Sequence, residues 1–85
     1  MKTFQYVVKD ELGIHARPAG VLAKEAKNFS SKIEIKAGEK AAEATRIMAV
    51  MALGVKKGQS VTITAEGADE ADAIAAMKKF FEEQL

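Results

Sequence analysis

The apolar residues of this chain change their spacing several times within 85 positions, and that switching limits the folds open to it. Thr3–Val8 alternates, with Phe4, Tyr6 and Val8 on one face, which predicts a half-buried strand. Asp10–Gly13 is polar, contains glycine and reads as a loop. From Ala16 to Phe29 the spacing becomes helical, with Ala19, Leu22, Ala26 and Phe29 on one stripe, until Asn28, Ser30 and Ser31 break it. Lys32–Ala37 alternates again with Ile33 and Ile35 inward. Gly38 then turns the chain into Lys40–Glu43, the short second arm of a hairpin. Arg46–Leu53 reads as a short helix anchored by Val50 and Leu53, with Thr45 placed to cap it and Gly54 at the position after its end. Ser60–Glu66 is the clearest strand, with Val61, Ile63 and Ala65 inward. Asp69 opens the last helix as its N-cap. Glu70 and Asp72 in its first turn and Lys78 and Lys79 near its end complement the helix dipole. Ile74, Met77 and Phe81 form its buried stripe, with Ala73 and Phe80 beside it. The order is β-α-β-β-α-β-α. Each strand has one apolar and one polar face, so a largely antiparallel sheet is expected, with helices on one side and water on the other.

Composition narrows the chemistry. With 48% hydrophobic and 29% charged residues, a single domain over residues 1–85 is expected, too polar for a membrane protein and too apolar for a disordered one. No apolar run approaches the roughly 20 residues of a spanning helix, and the first residues do not resemble a signal peptide, so a cytoplasmic protein is expected. The absence of cysteine excludes disulfides, thiolate metal sites and cysteine nucleophiles; a single histidine excludes a multi-histidine metal site. Residues 1–57 carry 11 Lys/Arg against 6 Asp/Glu, a net of +5. Residues 58–85 carry 2 against 6, a net of −4, and the two sum to the overall +1. The first part can attract an anionic partner. There is no basic run interleaved with aromatics, so no nucleic-acid partner is expected.

The chemically conspicuous segment is Gly13-Ile14-His15-Ala16-Arg17-Pro18-Ala19. His15 stands where loop becomes helix, and Pro18 suits the first helical turn. The backbone N–H groups of Ala16 and Arg17 are then free, and with the helix dipole they form an anion site. Arg17 adds a planar guanidinium that matches phosphate oxygens. A neutral imidazole nitrogen is a nucleophile. The combination suits a histidine that takes up a phosphoryl group. A histidine opening a helix is more often a plain surface or capping residue, so further features have to weigh in. Arg17, Gly20, Lys24 and Lys27 share one helix face beginning beside His15. Gly20 inside a helix costs about 1 kcal/mol relative to alanine, which is explained if something approaches that face closely. A solvated basic stripe would show the same spacing. A second patch comprises Ile47, Met48 and Met51, bordered by Arg46. Core packing is the commoner fate of such residues, but exposed methionine suits surfaces that meet several partners.

The segments 13–19, 46–55 (Arg-Ile-Met-Ala-Val-Met-Ala-Leu-Gly-Val) and 65–70 (Ala-Glu-Gly-Ala-Asp-Glu), three motifs in order, resemble the HPr phosphocarriers of the bacterial phosphoenolpyruvate-dependent sugar phosphotransferase system. The resemblance spans essentially the whole chain. It implies an α+β open-faced β-sandwich, a four-stranded antiparallel sheet with three helices on one face. It implies a carrier rather than an enzyme, phosphorylated on Nδ1 of His15 by phosphorylated enzyme I and discharged to enzyme IIA domains. Arg17 would assist transfer. Lys24, Lys27, Ile47, Met48 and Met51 would belong to the partner face, to which the reading of the residues adds Arg17, Gly20 and Arg46. No cofactor, metal or direct membrane contact is expected, and the carrier is expected to be monomeric. Many Gram-positive members carry a regulatory serine at the position of Arg46, and arginine cannot be phosphorylated there, so no regulatory site is assigned. Two other readings are a carrier for a regulatory or kinase-linked branch, and an anion-binding adaptor that never forms phosphohistidine. The presence of His15 weighs against the adaptor.

Overall fold

The computed structural model describes residues 1–85 and contains seven elements: β1 (Lys2–Val7), α1 (Ala16–Ala26), β2 (Lys32–Ala37), β3 (Lys40–Glu43), α2 (Ile47–Ala52), β4 (Ser60–Glu66) and α3 (Glu70–Gln84). The strands form one antiparallel sheet in the order β1-β4-β2-β3. β4 is therefore central to both halves, with Phe4 opposite Ile63 on one side and Ile35 opposite Ile63 on the other. The inward residues are those the alternation selects: Ile33, Ile35, Val61, Ile63 and Ala65 are buried, while Thr62, Thr64 and Glu34 lie on the other face. The helices cover one side only, which gives the open-faced α+β arrangement.

One cluster of 19 buried residues draws on residues in or next to all seven elements. Phe81 is its largest fully buried side chain and meets Phe4, Tyr6 and Phe80 edge-on, with ring centroids 6.0, 5.6 and 5.8 Å away. Edge-to-face pairs contribute about 0.5–1.5 kcal/mol each beyond the area they bury, so Phe81 ties α3 to β1. Ala19, Leu22, Ala23 and Ala26 are buried along α1, and the small side chains among them permit close packing. No helix is long and apolar enough to cross a membrane.

Four local readings need correction. Lys78 and Lys79 lie short of the end of α3, which runs on to Gln84, so no basic residue stands in its last turn. The buried stripe of α3 is Ala73, Met77, Phe80 and Phe81, and Ile74 lies at its half-buried edge, because α3 is rotated so that Ala73 meets the core. Thr45 does not cap α2. The Arg46 N–H donates to the Glu43 carbonyl at 3.0 Å, closing a turn that leaves Arg46 in extended conformation at the N-cap, without a side-chain cap bond. Asp69 is at the N-cap of α3, but its carboxylate does not turn back on its own helix. It accepts from the N–H groups of Ser30 and Ser31, each at 2.9 Å, and from the Ser31 hydroxyl. Ser31 is the one buried polar side chain, and a buried hydroxyl demands a partner. Gly67 makes the approach possible. A Cβ there would lie 2.8 Å from the Ser31 Cα, and its φ of +153° is one that L side chains rarely adopt.

This latch has a pH signature. The Ser31 hydroxyl first, then the Ser30 N–H, hold the Asp69 carboxyl below its ordinary value of 3.8. The folded group therefore binds a proton less readily than the unfolded one. Its stabilisation is complete above that ordinary value and is lost as pH falls below it. Thermal melts between about pH 6 and about pH 3 test this. Asp69→Asn is expected to melt lower than the parent at the higher pH and to lose less on acidification. Equal losses in both proteins would show that Asp69 carries none of the acid sensitivity.

Candidate functional site

The loop ahead of α1 is held at several points. The Lys9 and Asp10 N–H groups donate to the Leu85 O at 2.6 and 2.9 Å, the Gly13 N–H to the Asp10 carbonyl at 3.0 Å, and the Ile14 N–H to the Val55 carbonyl at 3.1 Å. The Asp10 carboxylate Oδ1 accepts from the Leu12 N–H at 2.8 Å, a side-chain-closed turn. Gly13 has φ +67°, and a Cβ at this position would stand 2.0 Å from the Val55 carbonyl oxygen and 2.7 Å from the Lys56 Cα. Only glycine allows the loop to lie this close to residues 55–56. Ile14, buried at 5% exposure, then pins the chain into the core immediately before His15.

His15 is the N-cap of α1, extended at φ −111°, ψ −174°, and its side chain makes no capping bond. The first hydrogen bond of α1 runs from the Ala19 N–H to the His15 carbonyl at 3.0 Å. Pro18 has no N–H, and the N–H groups of Ala16 and Arg17 have no acceptor within the protein. Two backbone donors and the positive end of an 11-residue helix thus meet beside the imidazole. The Arg17 side chain is exposed and makes no ion pair; those of the fold join the N-terminal amine to Glu70 and His15 to Asp10. The imidazole is 35% exposed, with Nε2 3.9 Å from Asp10 Oδ1. A phosphoryl group on this imidazole would meet donors that already lack partners, so its charge is accommodated without breaking any bond of the free protein.

The structure leaves the rest of the sequence-selected surface accessible. Lys24 is exposed on α1 and Lys27 at its C-cap, and Gly20 is half-buried with open space where a Cβ would stand, so no contact inside the protein requires glycine there. On α2, Val50 is fully buried and Leu53 packs against the core just after the helix. Met48 is left 78% and Ile47 41% exposed, with Met51 half-buried and Arg46 exposed. α1 and α2 pack against one another, which makes the basic and apolar surfaces neighbours. Sequence reasoning missed two exposed apolar residues, Leu12 at 71% in the loop before His15 and Val21 at 41% beside Gly20. An isolated leucine in an otherwise polar loop was the available signal for the first. Asp10 was also passed over, because its position beside the imidazole depends on the turn at residues 10–13. No cluster of three or more His, Cys, Asp or Glu is placed to hold a metal ion.

The family model for the PTS HPr component phosphorylation site matches residues 2–83. The chain is 49% identical over 79 residues to the phosphocarrier protein HPr of Mycoplasma capricolum subsp. capricolum, covering 93% of this chain and 89% of that protein. A solved histidine-containing phosphocarrier protein of Mycoplasma superposes with a TM-score of 0.91 at 48% identity, covering 93% of this chain and 90% of the other. The HPr-C-His structure from Thermoanaerobacter tengcongensis gives 0.91 at 40% identity, covering 96% and 92%. With the same fold at this level of identity across nearly its whole length, the chain belongs to the HPr family and is a phosphoryl carrier of the phosphotransferase system rather than an enzyme.

Proposed function

We propose that His15 is the residue that carries the phosphoryl group, received from phosphorylated enzyme I and passed to enzyme IIA domains. The observation that carries this reading is the conjunction at the start of α1: a half-shielded imidazole beside two N–H groups without acceptors. The Ala16 and Arg17 amides hold the oxygens of the incoming group, and the Arg17 guanidinium offsets the charge that builds on them in transfer. Incubation with enzyme I and labelled phosphoenolpyruvate tests it. A stoichiometric label that is acid-labile, base-stable and located on His15 is the expected result; a label elsewhere overturns it.

The partner face comprises Arg17, Gly20, Lys24, Lys27, Arg46, Ile47, Met48 and Met51, and the two kinds of contact have separable effects. Lys27→Ala removes an exposed charge, so it is expected to slow association with enzyme I and to flatten its salt dependence. Met48→Ala removes an apolar anchor that becomes buried on docking. It is expected to weaken binding by about 1–3 kcal/mol, mainly through faster dissociation. Neither substitution should lower the melting temperature, because Val50 holds α2 to the core. A Met48→Ala protein that melts lower while binding normally would remove methionine from the interface. The carrier acts as a monomeric single domain over residues 1–85 in the cytoplasm, without cofactor or metal. Arg46 leaves it without an acceptor for a serine-directed regulatory kinase at that position.

A further inference from the structure

We propose that Asp10 is a positioning residue for transfer: its carboxylate keeps the imidazole proton of His15 on Nε2, so that Nδ1 of the free carrier offers its lone pair. This rests on the reading of His15 as the phosphoacceptor. Asp10 Oδ1 lies 3.9 Å from Nε2, beyond hydrogen-bond length and within ion-pair range, and no other carboxylate comes as near to the imidazole. The carboxylate is not free to swing away. The same Oδ1 accepts from the Leu12 N–H at 2.8 Å, while the Asp10 carbonyl and N–H are engaged with the Gly13 N–H and the Leu85 O. Both side chains are about two-thirds shielded, with exposures of 35% and 34%, so water screens their attraction only in part.

The chemistry gives this placement a purpose. In uptake, the Nδ1 lone pair forms a bond to phosphorus. The bond from phosphorus to the donor atom breaks, and its electron pair stays with the donor. No proton moves. The ring keeps its proton on Nε2 and becomes cationic, and that positive charge faces Asp10. In discharge, the Nδ1–phosphorus bond breaks, its electron pair returns to Nδ1, and the neutral ring protonated on Nε2 is restored. A ring protonated on Nδ1 could not accept at that atom until it had lost the proton. An anion beside Nε2 therefore favours the productive tautomer before transfer and faces the positive ring after it.

Asp10→Asn separates charge from geometry, because the asparagine oxygen can still accept from the Leu12 N–H. Two readouts apply: single-turnover uptake from phosphorylated enzyme I, and the imidazole ¹⁵N signals of the free protein, which report the tautomer. Uptake is expected to slow about 3- to 10-fold, and the ¹⁵N signals to shift toward the ring protonated on Nδ1, with the Leu12 and Gly13 amide signals unchanged. Parental behaviour in either readout overturns the proposal. So does displacement of the Leu12 and Gly13 amides, since loop geometry would then account for the loss. Absence of ³¹P–¹⁵N coupling to His15 in the parent protein overturns the phosphoacceptor reading itself, which distinguishes the two failures.

Discussion

Phosphoryl uptake from enzyme I is expected to fall by at least about a thousandfold in His15→Ala, with the melting temperature little changed. The size follows from the absence of a substitute. His15 is the only histidine, the chain has no cysteine, and no other nucleophile stands at the start of α1. Stability should be spared because the side chain makes no capping bond, and the first bond of α1 uses the His15 carbonyl, which alanine retains. Arg17→Lys is the informative companion. It keeps one positive charge but loses the planar fork that grips two oxygens at once, so a loss of about 10- to 100-fold is expected at parental stability. Rapid-quench measurement with phosphorylated enzyme I gives both numbers. Substantial uptake by His15→Ala would place the phosphoryl group on another residue.

The second large effect concerns folding. Gly13→Ala is expected to lose about 3 kcal/mol or more of stability, which in a domain of this size lowers the melting temperature by roughly 12–24 °C. Two costs add. The residue must keep a φ of +67°, and its Cβ would meet backbone atoms at residues 55 and 56, which cannot move aside as a flexible side chain can. If the loop shifts to relieve the clash, the Ile14–Val55 hydrogen bond breaks and His15 moves with it. Uptake per folded molecule should therefore fall as well. A Gly13→Ala protein with parental melting and uptake would show that residues 55–56 are not the wall against which the loop is set.

The seven elements were legible in the sequence because each buries one face, and burial writes a period into the chain. β2, β3 and β4 begin and end where the alternation does. The start of α1 was legible for a related reason: Pro18 and the unpaired amides before it are local properties. What the sequence concealed depended on distant neighbours. Asp69 looks like a helix cap, and any cap rule assigns it to its own helix; it instead satisfies Ser31, 38 positions away, whose burial no local pattern announces. Gly13 reads as loop punctuation, and its contact with residue 55 becomes visible only once α2 is folded. Asp10 faces His15 because a turn closes between them, which neither residue type encodes alone. The exposure of Met48 was readable from the burial of Val50, and that of Leu12 only from its standing as an isolated leucine in a polar loop.

The strand order also governs how the carrier is made. β4 joins β1 to β2, so during synthesis only the β2–β3 hairpin can pair as it emerges. The first strand must wait for residues 60–66, which at ordinary ribosomal speeds takes roughly 3–12 s after β1 itself has been made. Through that interval Phe4 and Tyr6 have no sheet to join, and a nascent chain cut short before β4 holds His15 in its sequence but no assembled site around it.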